Sequence, residues 1–251
     1  MRREGTTGTN HGMADGCFRV ATFNIRHGAP PGGRVSHGAL VQTCAELDAD
    51  VLGLQEVDRG RLRSSFRNQA ALVARHLGCA FVYGEVLRRG IVGRYGNALL
   101  TRGALRDVDL VQLPRPSPRQ ARGAILARIE LAGLDVSVAA THLQHHPAEL
   151  GDQPREAAVQ LRALLDTLNQ RPLPRLLLGD LNLGPRRAKP LLAAAGFDCA
   201  PDAPTFPAEG PRVTLDYIAV RGLRILESAA VPTRASDHRA VVATVAVESI
   251  E

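Results

Sequence analysis

Asp180 and Asn182 stand two positions apart, just beyond the apolar run 175–178 and after Gly179. Residues two apart in extended backbone share a face, so this carboxylate and this amide can grip one target. The pair suits a hard cation and a phosphoryl oxygen better than it suits an apolar core. A strand running into an Asp/Asn turn would use the same residues, so the tetrapeptide alone leaves both readings open. The pattern recurs elsewhere. Asn24 closes an apolar run over 18–25, Glu56 follows one over 49–54, and His142 ends one over 134–143. Asn97 comes early in a run over 96–102. Asp216 falls inside the apolar run 213–220, where a charge is costly unless a histidine or a metal answers it. Asp237 and His238 follow Ser236 in a late loop. Acids, amides and histidines delivered at strand ends could hold a cation and move a proton.

The elements that must position these groups follow from the apolar periodicity. Strands are predicted over 18–25, 49–54, 80–83, 96–102, 107–112, 213–220, 223–231 and 239–247, with the Asp180 strand over 175–178. Residues 122–131 and 134–143 read as a hairpin joined by Ala132-Gly133. Helices are predicted from Ser36, with Leu40, Cys44 and Leu47 on one stripe, and from the N-cap Asn68 to the stop Gly78. A longer helix covers 152–168, and a shorter one opens at Pro185 and ends by Gly196. Prolines 114, 116 and 118 rule out regular structure there, and Arg115, Arg119 and Arg122 make that loop a possible basic rim. Many strands are apolar on both faces, which calls for two packed sheets with helices outside: an α/β, four-layer α-β-β-α sandwich of mixed, mainly antiparallel sheets. The hairpin argues against a doubly wound parallel sheet, and no Gly-rich dinucleotide or P-loop turn occurs.

Composition narrows the function classes. The 251 residues carry a net charge of +6 and a pI near 9.7, which favours anionic substrates without saying which. Aromatic residues are only 4% and Trp is absent, which weakens readings built on base-stacking platforms. Four dispersed cysteines without a C-x-x-C pair indicate isolated thiols and a reducing, cytoplasmic setting. Residues 1–16 read as a disordered tail without a complete signal peptide, and 17–251 as one domain. No run reaches transmembrane length, and nothing singles out a protein partner.

Seven strings, in order, resemble the endonuclease/exonuclease/phosphatase superfamily: Ala21-Thr-Phe-Asn24-Ile, Asp50-Val-Leu-Gly-Leu-Gln55-Glu56-Val, Tyr95-Gly-Asn97-Ala-Leu-Leu, Thr141-His142-Leu, Gly179-Asp180-Leu-Asn182, Leu215-Asp216-Tyr-Ile and Ser236-Asp237-His238. The resemblance spans nearly the whole chain. It implies phosphoester hydrolysis assisted by Mg²⁺ or Mn²⁺, with Asn24, Glu56, Asp180 and Asp237 as the metal group. By the same resemblance His238, oriented by Asp216, takes a proton from the attacking water. Asp180 and Asn182 orient water and phosphate, His142 donates to a non-bridging oxygen, and Asn97 contacts substrate. Arg26 stands where apurinic-site endonucleases carry an acid, and the hydrophobic hairpin of the sphingomyelinases is not evident. DNA or RNA is therefore one phosphate-ester substrate among several. A catalytically silent binder of nucleic acid or phospholipid head groups, using the Arg-rich surface, is the reading from a different class.

Overall fold

Residues that alternate between two apolar surroundings must be covered on both sides, and the arrangement of the strands meets that need. The computed structural model describes residues 16–89, 93–115, 120–131, 133–145 and 155–248. The expected tail before Gly16, the middle of the proline loop, His146 and the first turn expected for the 152–168 helix lie outside them. In chain order the elements are β1 (Cys17–Asn24), α1 (His37–Glu46), β2 (Val51–Arg59), α2 (Gln69–Leu77), β3 (Ala80–Arg89), β4 (Gly93–Thr101), β5 (Ala104–Gln112), β6 (Gly123–Leu131) and β7 (Leu134–His142). Then follow α3 (Arg155–Leu168), β8 (Arg175–Asp180), α4 (Pro185–Ala194), β9 (Asp198–Cys199), β10 (Asp216–Arg221), β11 (Leu223–Val231) and β12 (Ala240–Val247).

Two six-stranded sheets form, one in the order β11-β12-β1-β2-β4-β3 and the other β5-β6-β7-β8-β10-β9. Each contains one parallel pair, β1 with β2 and β7 with β8, and is otherwise antiparallel. The facing surfaces pack Val20, Val51 and Leu99 against Ile125, Val138 and Leu178. Leu40, Cys44 and Val73 of α1 and α2 cover the outside of the first sheet at Phe23 and Leu54. Leu161, Leu164 and Leu192 of α3 and α4 cover the second at Leu126 and Leu177. Each such leucine contributes roughly 1.5–3 kcal/mol by leaving water. The four layers are those that two-sided apolar strands demand.

Helix starts follow their capping chemistry: Ser36 accepts from the Ala39 amide, Asn68 accepts from that of Ala71, and Gly78 closes α2 in the left-handed region. Strand ends differ from the sequence expectation. β2 runs on through Glu56 to Arg59, β3 extends to Arg89, and β8 carries through to Asp180, because the ladder continues past the last apolar residue. Asp216 does not interrupt a strand begun at Val213. It opens β10, while Val213 makes only an isolated bridge to Phe206. All four cysteines are free thiols. Among the described residues no helix is long and apolar enough to cross a membrane.

Candidate active site

Parallel strands bring their carboxyl ends to the same edge, and both parallel pairs end where the polar residues begin. Asn24 is in register with Gln55 across β1 and β2, and His142 with Asp180 across β7 and β8. Antiparallel pairing then sets Asp216 directly opposite Asp180. Three adjacent strands thus present His142, Asp180 and Asp216 at one level. Gly179 permits this closeness: a Cβ there would lie 2.4 Å from the Thr141 carbonyl oxygen.

The first sheet reaches the same place through a bulge. The β2–β4 register slips between Leu54 and Val57, and Glu56 takes φ +59°, a left-handed conformation that is strained for a residue with a Cβ. The bulge aims Glu56 at Asn24. Asn24 Nδ2 donates to Asp180 Oδ2 at 2.9 Å and lies 3.4 Å from Glu56 Oε1, so one amide joins acids from both sheets. Tyr95 is close to Glu56: its phenol is held far above its ordinary value by burial first and this carboxylate second.

His238 comes from the loop before β12. Ser236 anchors that loop: its Oγ donates to the Asn24 carbonyl oxygen at 2.6 Å and accepts from the His238 amide at 3.1 Å. The imidazole Nδ1 then lies 2.9 Å from Asp216 Oδ2, and Nε2 lies 3.9 Å from Asp180 Oδ2. The Phe206 ring packs 4.9 Å from the imidazole. Thr205 Oγ1 accepts from the Leu215 and Asp216 amides and so fixes the start of β10. Ser236, Thr205 and Phe206 went unassigned in the sequence because hydroxyls and a lone aromatic ring in loops carry no spacing signal. Only the adjacency of Ser236 to Asp237-His238 could have pointed to it.

The charges are unevenly settled. Burial, and then the Asp216 carboxylate, push Asp180 up to about 7, although His238 and the Asn24 amide pull the other way. Burial opposes the His238 imidazolium, yet Asp216, Asp180 and Asp237 together outweigh it and carry His238 up to about 10. His142 is held well below the ordinary imidazole range by burial, then by Arg122, His238 and His145.

Asn182, at φ +49°, turns its side chain back. Its Nδ2 donates to the Leu143 carbonyl oxygen at 3.0 Å, which fixes that end of the amide as nitrogen, and the same atom lies 3.0 Å from His142 Nε2. Neutral His142 therefore accepts at Nε2 and carries its proton on Nδ1, and the donation expected of it requires a substrate oxygen to displace Asn182 and the proton to move to Nε2. Asp237 sits at the rim, 3.3 Å from Arg26 Nε. Asn97 does not point freely at solvent: its Nδ2 donates to the Gly123 carbonyl oxygen at 3.0 Å. Arg122, expected on an exposed rim, is instead 7% exposed.

The donors fit a hard divalent cation. Asp180, Asp216 and His238 place ligand atoms within 4.8 Å of one another, and Glu56 shares Asn24 with Asp180. Asp216 Oδ1 is buried with no hydrogen-bond partner, and the Asp180 carboxyl is raised by burial and then by the facing Asp216 charge, as expected where a cation belongs.

A family model described as the Endonuclease/Exonuclease/phosphatase family matches residues 21–238. Among solved structures, an endonuclease/exonuclease/phosphatase from Beutenbergia cavernae has a TM-score of 0.73 at 22% identity, covering 93% of this chain and 72% of that one. The human Nocturnin catalytic domain with bound sulfate gives 0.71 at 21%, covering 92% and 95%. A mannosyl-6-phosphatase from Bacteroides thetaiotaomicron gives 0.72 at 15%, covering 91% and 99%. At these identities the likeness is one of fold. No curated protein matches the chain.

Proposed function

The chain belongs to the endonuclease/exonuclease/phosphatase family, and from that premise we propose that it hydrolyses phosphoesters with a divalent cation, Mg²⁺ or Mn²⁺, and that nucleic-acid phosphodiesters are its first substrate class. The observation that carries this reading is the His238–Asp216 pair at 2.9 Å, set beside an Asp180 that shares Asn24 with Glu56. A histidine oriented at Nδ1 by a buried carboxylate presents Nε2 for proton transfer.

Glu56 and Asp180 would hold the cation, with Asn24 between them and Asp237 at the rim. A cation held there would supply charge to neutralise a phosphate oxygen and the leaving oxygen, and by offsetting the surrounding acids would loosen the proton on His238. The residues of the chain do the rest. Asp216 keeps the His238 ring in place, and Nε2 takes the proton of the attacking water. Asp180, braced by the Asn182 amide at 2.9 Å, orients that water. Asn182 and His142 meet the phosphate from the opposite side.

The test is Mg²⁺- and Mn²⁺-dependent turnover of single- and double-stranded DNA, RNA, bis-p-nitrophenyl phosphate, phospholipids and inositol phosphates. Asp180→Ala and His238→Ala should each lose at least about 100-fold in kcat. Turnover unchanged in both variants would remove the assignment.

A further inference from the structure

Two arginines of this protein are almost equally buried and very differently satisfied. Arg175, 9% exposed, donates to the Asn169 side chain and to the Asn169 and Arg171 carbonyl oxygens. Arg122, 7% exposed, has a buried Nε with no partner, and its guanidinium makes no hydrogen bond or ion pair among the described residues. A buried cation without an acceptor is costly, and a chain that folds around one has left the acceptor to come from outside.

The location indicates what that acceptor is. Arg122 acts electrostatically on His142 from β7 and on Tyr95 from β4, and Tyr95 also feels the Glu56 carboxylate. The guanidinium is therefore near enough to both residues to act on their charges. It also lines a cavity of about 230 Å³ with Asn97, Glu85, Gln112, Leu110 and Ile125, between the edges of the two sheets. The nearby Glu85 is taken by Arg94 at 3.2 Å. The backbone beside Arg122 is clasped twice: Asn97 Nδ2 and Thr141 Oγ1 donate to the Gly123 carbonyl oxygen at 3.0 and 3.2 Å.

We propose that Arg122, on the wall of this cavity, is a substrate-binding residue that receives two oxygens of the phosphate group, with Asn97, bonded to the neighbouring Gly123 carbonyl, as a positioning residue. The proposal rests on the phosphoester reading above. The planar fork of a guanidinium matches two phosphate oxygens at once, which the point charge of a lysine does not.

The probe is inorganic phosphate, read as the Tm shift it causes in metal-free protein, beside kcat and KM for p-nitrophenyl phosphate and bis-p-nitrophenyl phosphate with Mn²⁺. Arg122→Met keeps the bulk, Arg122→Lys keeps the charge, and Arg115→Ala removes an exposed charge from the same loop. Phosphate should raise Tm in the wild type and in Arg115→Ala but not in Arg122→Met. KM in Arg122→Met should rise about 10–100-fold, with Arg122→Lys in between. A greater loss on the monoester assigns the subsite to a terminal phosphate, and an equal or greater loss on the diester to an internal one. If Arg122→Met shows no melting transition, Arg122→Lys carries the test with a smaller phosphate shift than wild type. A phosphate shift equal to wild type in the Arg122 variants, or none in the wild type, overturns the proposal. Wild-type turnover with unchanged Arg122→Met kinetics removes the subsite and spares the hydrolase reading. An Arg122-dependent phosphate shift without any turnover does the reverse.

Discussion

Asp58 and Asp180 are both sealed from water, on strands that end at the same edge, and the protein treats them in opposite ways. Asp58 accepts two bonds from Arg63, at 2.7 and 2.8 Å, and has Arg61 at 3.7 Å. Asp180 faces another acid, Asp216, across the ladder, with Glu56 joined through Asn24, and His238 with the Asn24 and Asn182 amides offsets them without outweighing burial and Asp216. Two histidines report the difference. Both are penalised by burial, but Arg63 helps take His27 down to about 4, while Asp216 and Asp180 carry His238 up to about 10. The chain supplies the counter-charge where it builds structure and withholds it where a ligand is to supply it.

The comparison breaks most visibly in paired amide substitutions. Asp58→Asn strands two arginines and should cost about 3 kcal/mol, or roughly 6–12 °C in Tm, with activity per folded molecule kept. Asp180→Asn removes one of two facing acids, so Tm should hold or rise while kcat falls by roughly 1,000-fold or more. Thermal melts and steady-state kinetics on the same preparations decide it. Equal destabilisation by both changes would show that Asp180 is another structural acid.

A cation should reveal the second region by its pH dependence. With Asp180 at about 7, binding below that pH must displace a proton, so affinity weakens as pH falls. Saturating Mn²⁺, at roughly 100 times Kd, adds about 2.7 kcal/mol of stability. The Tm gain should be larger at pH 8 than at pH 5.5 and should vanish in Asp180→Asn. A gain that is independent of pH would place the ion elsewhere.

The histidines sharpen the contrast further. His238 has its folded value above the unfolded 6.5, so its contribution to stability is full below about 6.5 and is lost as pH rises through 10. His27 lies below 6.5, so its contribution is full above 6.5 and is lost as pH falls through 4. His238→Gln should flatten the alkaline side of the metal-free stability profile, and His27→Gln the acidic side. Melts across pH 4–10 that flatten on the same side for both would erase the distinction.

What could be read in the sequence, and what could not, divides along the same physical line. Asn24, Glu56, His142 and Asp180 follow apolar runs, and a strand end is visible as a change of polarity, whereas Asp216 stood out as a charge within one and opens its strand instead. The two-sheet sandwich was legible because doubly apolar strands and amphipathic helices leave few other ways to cover both faces. The lengths of β2 and β3 were not, since backbone pairing continues through polar residues that show no period. Asp58 is charged, close to Glu56 in sequence and structural in role, and only its partners at Arg61 and Arg63 distinguish it. Arg122 looked like loop charge because burial arises from the packing of both sheets, which a proline-rich stretch does not announce.

Ser236 offers the smallest and most discriminating test, because it belongs to the second region and carries no charge. Its hydroxyl ties the His238 loop to the end of β1, donating to Asn24 and accepting from the His238 amide. Ser236→Ala loses both bonds and should cost about 1–2 kcal/mol. The imidazole would keep Asp216 and the Phe206 ring but lose the anchor of its loop, and a small drift of Nε2 should lower kcat by roughly 10-fold with KM little changed. Because no counter-charge is removed, the Mn²⁺-induced rise in Tm should persist. A variant that also loses that rise would show the hydroxyl, rather than the acids, to be what keeps the cation site in shape.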